Sequence, residues 1–156
     1  MTAGEIVLGV DYGTARIAIA GPSIMHFEEV ILRPGDNLGA LDVLAETLWN
    51  AVTRTHADVV VVESPIQGAS RNVRVGISLG MVAGALCVAA RQAGASVQLV
   101  PPASWKKMVV GYGNANKEQV ALWLQSEHPE LRAEAHSQDL VDATCLALSA
   151  TEPVDG

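Results

Sequence analysis

The sequence predicts an α/β domain built on one mixed, five-stranded sheet with helices packed on both faces. Three observations carry that expectation. The chain opens with three short apolar runs separated by tight turns, the pattern of an antiparallel meander. A continuous β-branched run at residues 59–62 follows a helical stretch and reads as a strand buried on both faces. From there strand-like and helix-like patterns alternate, the order that builds parallel pairs joined through helices.

Each element has its own signal. Residues 5–10 form the first apolar run, closed by the turn residues Asp11, Tyr12 and Gly13. Residues 16–20 form the second, and residues 27–32 the third, ended by Pro34-Gly35. Apolar residues at 38, 41, 44, 45, 48, 49 and 52 recur at the helical period, so a helix is expected over 38–54 with Asn37 as its cap. Residues 58–63 supply the fourth strand, 72–93 a second helix, and 97–100 a fifth strand stopped by Pro101-Pro102. A short helix is expected at 104–110, then a glycine loop at 111–113. Further helices follow at 117–126, ended before Pro129, and at 138–150.

Length and composition narrow the class. The 156 residues fit one domain spanning 1–156, with a frayed tail after about residue 151. At 49% hydrophobic and 17% charged residues the chain is not a disordered one. The two cysteines, Cys87 and Cys145, each sit in an apolar run, the setting of buried reduced thiols rather than of a disulfide framework. No basic n-region or apolar h-region opens the chain, so no signal peptide is expected. The uncharged stretch 75–90 is 16 residues long, short of a bilayer span, and its glycines at 76, 80 and 84 read as a small-residue stripe on a buried helix. A cytoplasmic protein with no membrane partner follows. The net charge of -7 argues at first against nucleic acid.

Four acids stand in telling places. Asp11 ends the first strand and Glu63 ends the fourth, after four valines; strand exits are where clefts form in such sheets. Asp139 and Asp142, three apart at the start of the last helix, share a face. Singly, Asp11 could be a turn residue, Glu63 a solvated strand end and Asp139 a helix cap. Asp142 sits in a largely apolar helix, where an inward acid needs partners. Together the four suggest a cation site, since a divalent ion relieves repulsion between crowded carboxylates. A carboxylate set without His or Cys fits Mg²⁺ or Mn²⁺ better than Zn²⁺.

Four strings then carry a resemblance: G-V-D-Y-G-T-A-R-I-A-I-A, V-V-V-E-S-P, P-P-A-S-W-K-K-M-V-V-G-Y-G-N-A-N-K-E-Q-V and D-L-V-D-A-T-C-L-A-L. In order and spacing they resemble the RuvC-type Holliday-junction resolvases, over about residues 5–150. The first string alone is weak, because D-x-G-T recurs in unrelated folds; the V-V-G-Y-G string is far more specific. The resemblance implies an RNase H-like fold, a homodimer through the helix of about 72–93, and paired nicking of four-way DNA junctions with two Mg²⁺ (or Mn²⁺) ions per active site. By motif, Asp11, Glu63, Asp139 and Asp142 match the family's metal-binding tetrad. Lys106 and Lys117 match its basic residues near the scissile phosphate. The expected DNA contacts are Ile66, Arg71, Arg74, Lys106, Lys107, Tyr112 and Lys117, with Trp105 as a further candidate; Trp49 and Trp123 read as core. His136, near Asp139, reads as a surface histidine, with help to the chemistry as the other possibility.

The chain departs from the pattern in three ways. Tyr12 replaces a proline common after the first acid. Ile66 stands where some members carry an aromatic that stacks on junction bases. No basic tail follows the last helix, which suits a compact phage-type member.

Three rival functions share parts of these motifs. An actin-like kinase or ATPase shares D-x-G-T but needs two such domains, for which 156 residues leave no room, so no nucleotide cofactor is expected. An RNase H-like nuclease acting on flaps, forks or RNA–DNA hybrids is the main alternative. A non-catalytic junction binder has no need of four clustered acids. The charge objection weakens on division. Residues 64–117 hold six basic residues and no acid, whereas 1–63 hold nine acids against three arginines and 118–156 hold eight against one. Charge distribution, not its sum, governs binding.

Overall fold

The computed structural model describes residues 4–33, 35, 37–65 and 72–150. Its sheet has the strand order β3-β2-β1-β4-β5, with β1 at Val7–Tyr12, β2 at Arg16–Gly21, β3 at His26–Ile31, β4 at Val59–Glu63 and β5 at Ser96–Val100. The β1–β2 and β2–β3 pairs are antiparallel; β1–β4 and β4–β5 are parallel. The mixed five-stranded sheet expected from the sequence is therefore the one observed. The helices are α1 at Asn37–Thr55, α2 at Val73–Gln92, α3 at Pro102–Val109, α4 at Lys117–Glu127 and α5 at Gln138–Leu148.

Alternation along β1 divides the core. Leu8, Val10 and Tyr12 join Val60 and Val62 of β4 in a cluster with Leu44, Leu48 and Val52 of α1 and Val82 and Leu86 of α2. Val7 joins Val59 and Val61 on the other face, against Trp105 of α3, Val120 and Leu124 of α4, and Val141, Cys145 and Leu146 of α5. Val59–Val62 are at most 3% exposed, as a strand covered on both faces requires.

Helix α5 approaches β1 unusually closely. A Cβ on Gly9 would lie 1.9 Å from the Ala143 carbonyl oxygen and 2.5 Å from the Ala147 amide nitrogen. Ala18, Ala20 and Ala143, all 0–1% exposed, form the small-residue bed that permits this contact.

Several boundaries differ from the sequence expectation for physical reasons. Asp11 lies inside β1 rather than after it, because Asp11 and Tyr12 still pair with Ala18 and Ile17. Pro102 begins α3 instead of only stopping β5; a proline at the first helical position loses no hydrogen bond. Helix α5 ends at Leu148, short of residue 150. Three 3₁₀ turns, Pro22–Ile24, Pro129–Leu131 and Ala133–Ala135, have no apolar periodicity to announce them. Asn37, expected to cap α1, is instead its first helical residue, while Asn72 caps α2, Asn116 forms a reciprocal capping box with Gln119 on α4, and Ser137 caps α5.

Two expectations about burial fail. Trp49 is 42% exposed, while Trp105 is 1% exposed. Helical spacing marks Trp49 as core, but α1 turns that edge away from both α2 and the sheet. Helix α2, expected to be buried, leaves Val73, Val75, Ile77, Met81 and Val88 exposed. At 20 residues with a mean hydropathy of 1.9, it is long and apolar enough to cross a membrane by length and composition. The thiols of Cys145 and Cys87 are free, Cys145 buried and Cys87 half-buried.

Candidate carboxylate centre at the strand ends

The site grows out of strand register. Val10 on β1 is level with Val62 on β4, so Asp11 and Glu63 are the next residues on two adjacent parallel strands. By alternation both continue the face formed by Val7, Gly9, Val59 and Val61, the face covered by α5. Asp139 lies in the first turn of α5 and Asp142 one turn on. The Gly9 contact thus sets how near the two helical acids come to the two strand acids.

Three polar side chains serve the four acids. Arg16 Nη1 lies 3.3 Å from Asp11 Oδ2 and 3.0 Å from Asp139 Oδ2, bridging strand and helix. The indole nitrogen of Trp105 donates to Glu63 Oε2 at 2.8 Å. Gln138 Nε2 donates to Asp142 Oδ1 at 3.0 Å. The hydroxyl of Tyr12 donates to the backbone carbonyl of Glu63 at 2.8 Å.

The electrostatics show how costly four acids are here. Burial pushes the Asp11 carboxyl up to about 8; Arg16 opposes this, while Glu63, Asp142 and Asp139 add to it. Glu63 is raised by burial, against the Trp105 hydrogen bond, and Asp142 adds to the rise. Asp142 is raised by burial too, against its hydrogen bond from Gln138 and the charges of Lys106 and Lys117. A buried carboxylate wants a positive neighbour or a proton.

Among the described residues, no three His, Cys, Asp or Glu side chains converge tightly enough to hold a metal ion. Arg16 holds Asp11 and Asp139 together, while Glu63 and Asp142 are bonded to Trp105 and Gln138. The donor chemistry nevertheless fits a hard divalent cation. It offers carboxylate oxygens with raised proton affinity and no competing soft ligand. The nearby Cys145 thiol, pushed up to about 12 by burial and by Asp142, stays protonated. His136 is occupied with Phe27, ring centroids 4.2 Å apart.

The structure brings together Asp11, Glu63, Asp139 and Asp142, with Lys106 and Lys117 near enough to act on Asp142. Tyr112, 55% exposed, follows α3 in the glycine loop. Lys107 is exposed on α3, and Arg74 is exposed at the start of α2. Ile66 and Arg71 lie outside the described residues. Trp105 is not a DNA-facing residue; it is buried and bonded to Glu63. The six basic residues of 64–117 do not all gather near the acids. Arg91 ends α2 at the opposite end of the strands from Glu63, where the chain turns into Ser96 beside Val59. The sequence reading missed Arg16, Gln138 and the inward role of Trp105. Arg16 had a signal, an arginine five residues after an acid across a hairpin turn, and so did Gln138, one helical turn before Asp142.

Comparison with known proteins points to one family. The family model described as crossover junction endodeoxyribonuclease RuvC matches residues 7–150. The RuvC of Dictyoglomus thermophilum is 30% identical over 155 residues, covering 92% of this chain and 94% of the relative. That of Hyphomonas neptunium is 31% identical over 153 residues, covering 92% and 89%. Among solved structures, Thermus thermophilus RuvC in complex with a Holliday junction substrate superposes with a TM-score of 0.75 at 26% identity, covering 93% of this chain and 92% of that one.

Proposed function

The chain belongs to the RuvC family of crossover junction endodeoxyribonucleases, and from that membership we propose a division of labour among the residues of its cleft. The protein is a structure-selective endonuclease that resolves DNA junctions on an RNase H-like fold, and nucleases of this family depend on a metal ion. The observation that carries the site assignment is the placement of Asp11 and Glu63 side by side on adjacent strands beneath the acidic first turns of α5.

Asp11, Glu63, Asp139 and Asp142 hold two Mg²⁺ or Mn²⁺ ions. Bound there, the ions supply a nucleophilic water at neutral pH and charge stabilisation for in-line displacement at phosphorus. The chain's own residues do the rest. Asp11, the most enclosed acid, would be the central ligand of that set. Arg16, which pairs with Asp11 and Asp139, would have to give up those oxygens to an ion. Lys106 and Lys117 offset the charge that builds on the phosphate. Arg74, Lys107 and Tyr112, with Ile66 and Arg71, contact the junction arms.

Two nicks require two sites. The exposed apolar row Val73, Ile77 and Met81 on α2 fits a second copy of the chain better than lipid, since its neighbour Arg74 and the terminal Arg91 remain exposed. A homodimer through residues 72–93 working in the cytoplasm, on branched DNA and without a nucleotide cofactor, is the resulting picture. A panel of four-way junctions, flaps, forks and RNA–DNA hybrids with Mg²⁺ tests it. Paired cuts confined to the four-way junction are expected; faster cleavage of flaps or hybrids contradicts it.

A further inference from the structure

We infer that Tyr12 and Trp105 are positioning residues that clamp Glu63 from two sides and fix where its carboxylate meets the metal. The inference rests on the reading of Glu63 as a metal-binding acid. Beyond Glu63 the chain leaves β4, and on the neighbouring strand Tyr12 is the last residue of β1. The Tyr12 hydroxyl takes over where the ladder ends, donating to the Glu63 carbonyl at 2.8 Å. Tyr12 is only 8% exposed and belongs to the α1–α2 core, so it anchors this carbonyl from the far face of the sheet.

Trp105 acts from the near face. Its ring, 1% exposed, is packed in the cluster of α4 and α5, and its one polar atom is spent on Glu63 Oε2 at 2.8 Å. A donor on one carboxylate oxygen leaves the other free and sets the plane of the group. Partners of this kind orient metal ligands, and their loss typically weakens metal affinity about 10–100-fold. Trp105 also carries Lys106 with it: the ammonium lies 5.7 Å from the indole centroid. One buried side chain therefore sets both the acid and the adjacent lysine. Residue 12 is where the chain departs from the D-P-G pattern, and proline has no hydroxyl to offer this bond.

Full-length Trp105→Phe and Tyr12→Phe keep the rings and delete only the donors. Mn²⁺ binding read by electron paramagnetic resonance should weaken roughly tenfold in each. Turnover on junction DNA should fall, while junction affinity in Ca²⁺ stays unchanged. In the metal-free wild type, the indole N–H signal lost in Trp105→Phe should be the one most shifted by Glu63→Gln. Wild-type Mn²⁺ affinity in Trp105→Phe, beside a loss in Glu63→Gln, overturns the clamp alone. Unchanged Mn²⁺ affinity in Glu63→Gln overturns the metal reading of Glu63 and the clamp with it.

Discussion

Arg16 Nη1 sits 3.0 Å from Asp139 Oδ2, joining the start of β2 to the first turn of α5. The same nitrogen reaches Asp11, so a guanidinium holds two of the four acids where a divalent ion would otherwise be needed. This makes Arg16 both a stabiliser of the metal-free protein and a competitor of the metal. Arg16→Met should lower the melting temperature without metal and enlarge the rise on adding Mn²⁺. Thermal melts with and without Mn²⁺ check this; an unchanged metal-free melt would mean the pairing contributes nothing.

The metal-free protein should also lose stability as the pH rises. Asp11 is raised to about 8 and Glu63 and Asp142 are raised as well, so the folded state favours their protonated forms. A group raised in the folded state contributes stability that is fully present below its unfolded pKa and is lost as pH climbs through the folded one. Melting temperature should therefore fall between about pH 4 and 8. Asp11→Asn should flatten most of that slope, and saturating Mg²⁺ should do the same in the wild type.

Gly9→Ala tests the packing that builds the site. The added Cβ meets the α5 backbone, which cannot step aside as a flexible side chain can. Overpacking of this kind costs about 3 kcal/mol. Urea unfolding should register that loss, and junction cleavage should fall with it, since α5 carries Asp139 and Asp142.

Met81→Arg tests the α2 face. Met81 is 49% exposed, so an arginine there is tolerated in a single chain. Light scattering should give about twice 16.3 kDa for the wild type and a single chain mass for the variant. An unaltered mass for the variant would place the interface elsewhere.

Much of this was legible in the sequence, for reasons that can be named. Residues 59–62 announce a strand covered on both faces because four adjacent valines leave no polar side. Asp139 and Asp142 share a face because helical spacing requires it. The roles of the tryptophans were not legible. Trp49 and Trp105 both sit at apolar positions of helices, and only the docking of each helix decides which edge is covered. The bonds from Arg16 to Asp139 and from Trp105 to Glu63 join residues far apart in sequence, which local pattern cannot register.

The central claim is that Asp11 holds the metal that cuts the junction. The direct measurement compares wild type with Asp11→Asn on a synthetic four-way junction, scoring cleavage in Mg²⁺ and binding in Ca²⁺. Paired nicks by the wild type, with a variant that binds equally well and does not cut, are the predicted result. Cleavage by Asp11→Asn at the wild-type rate would contradict it.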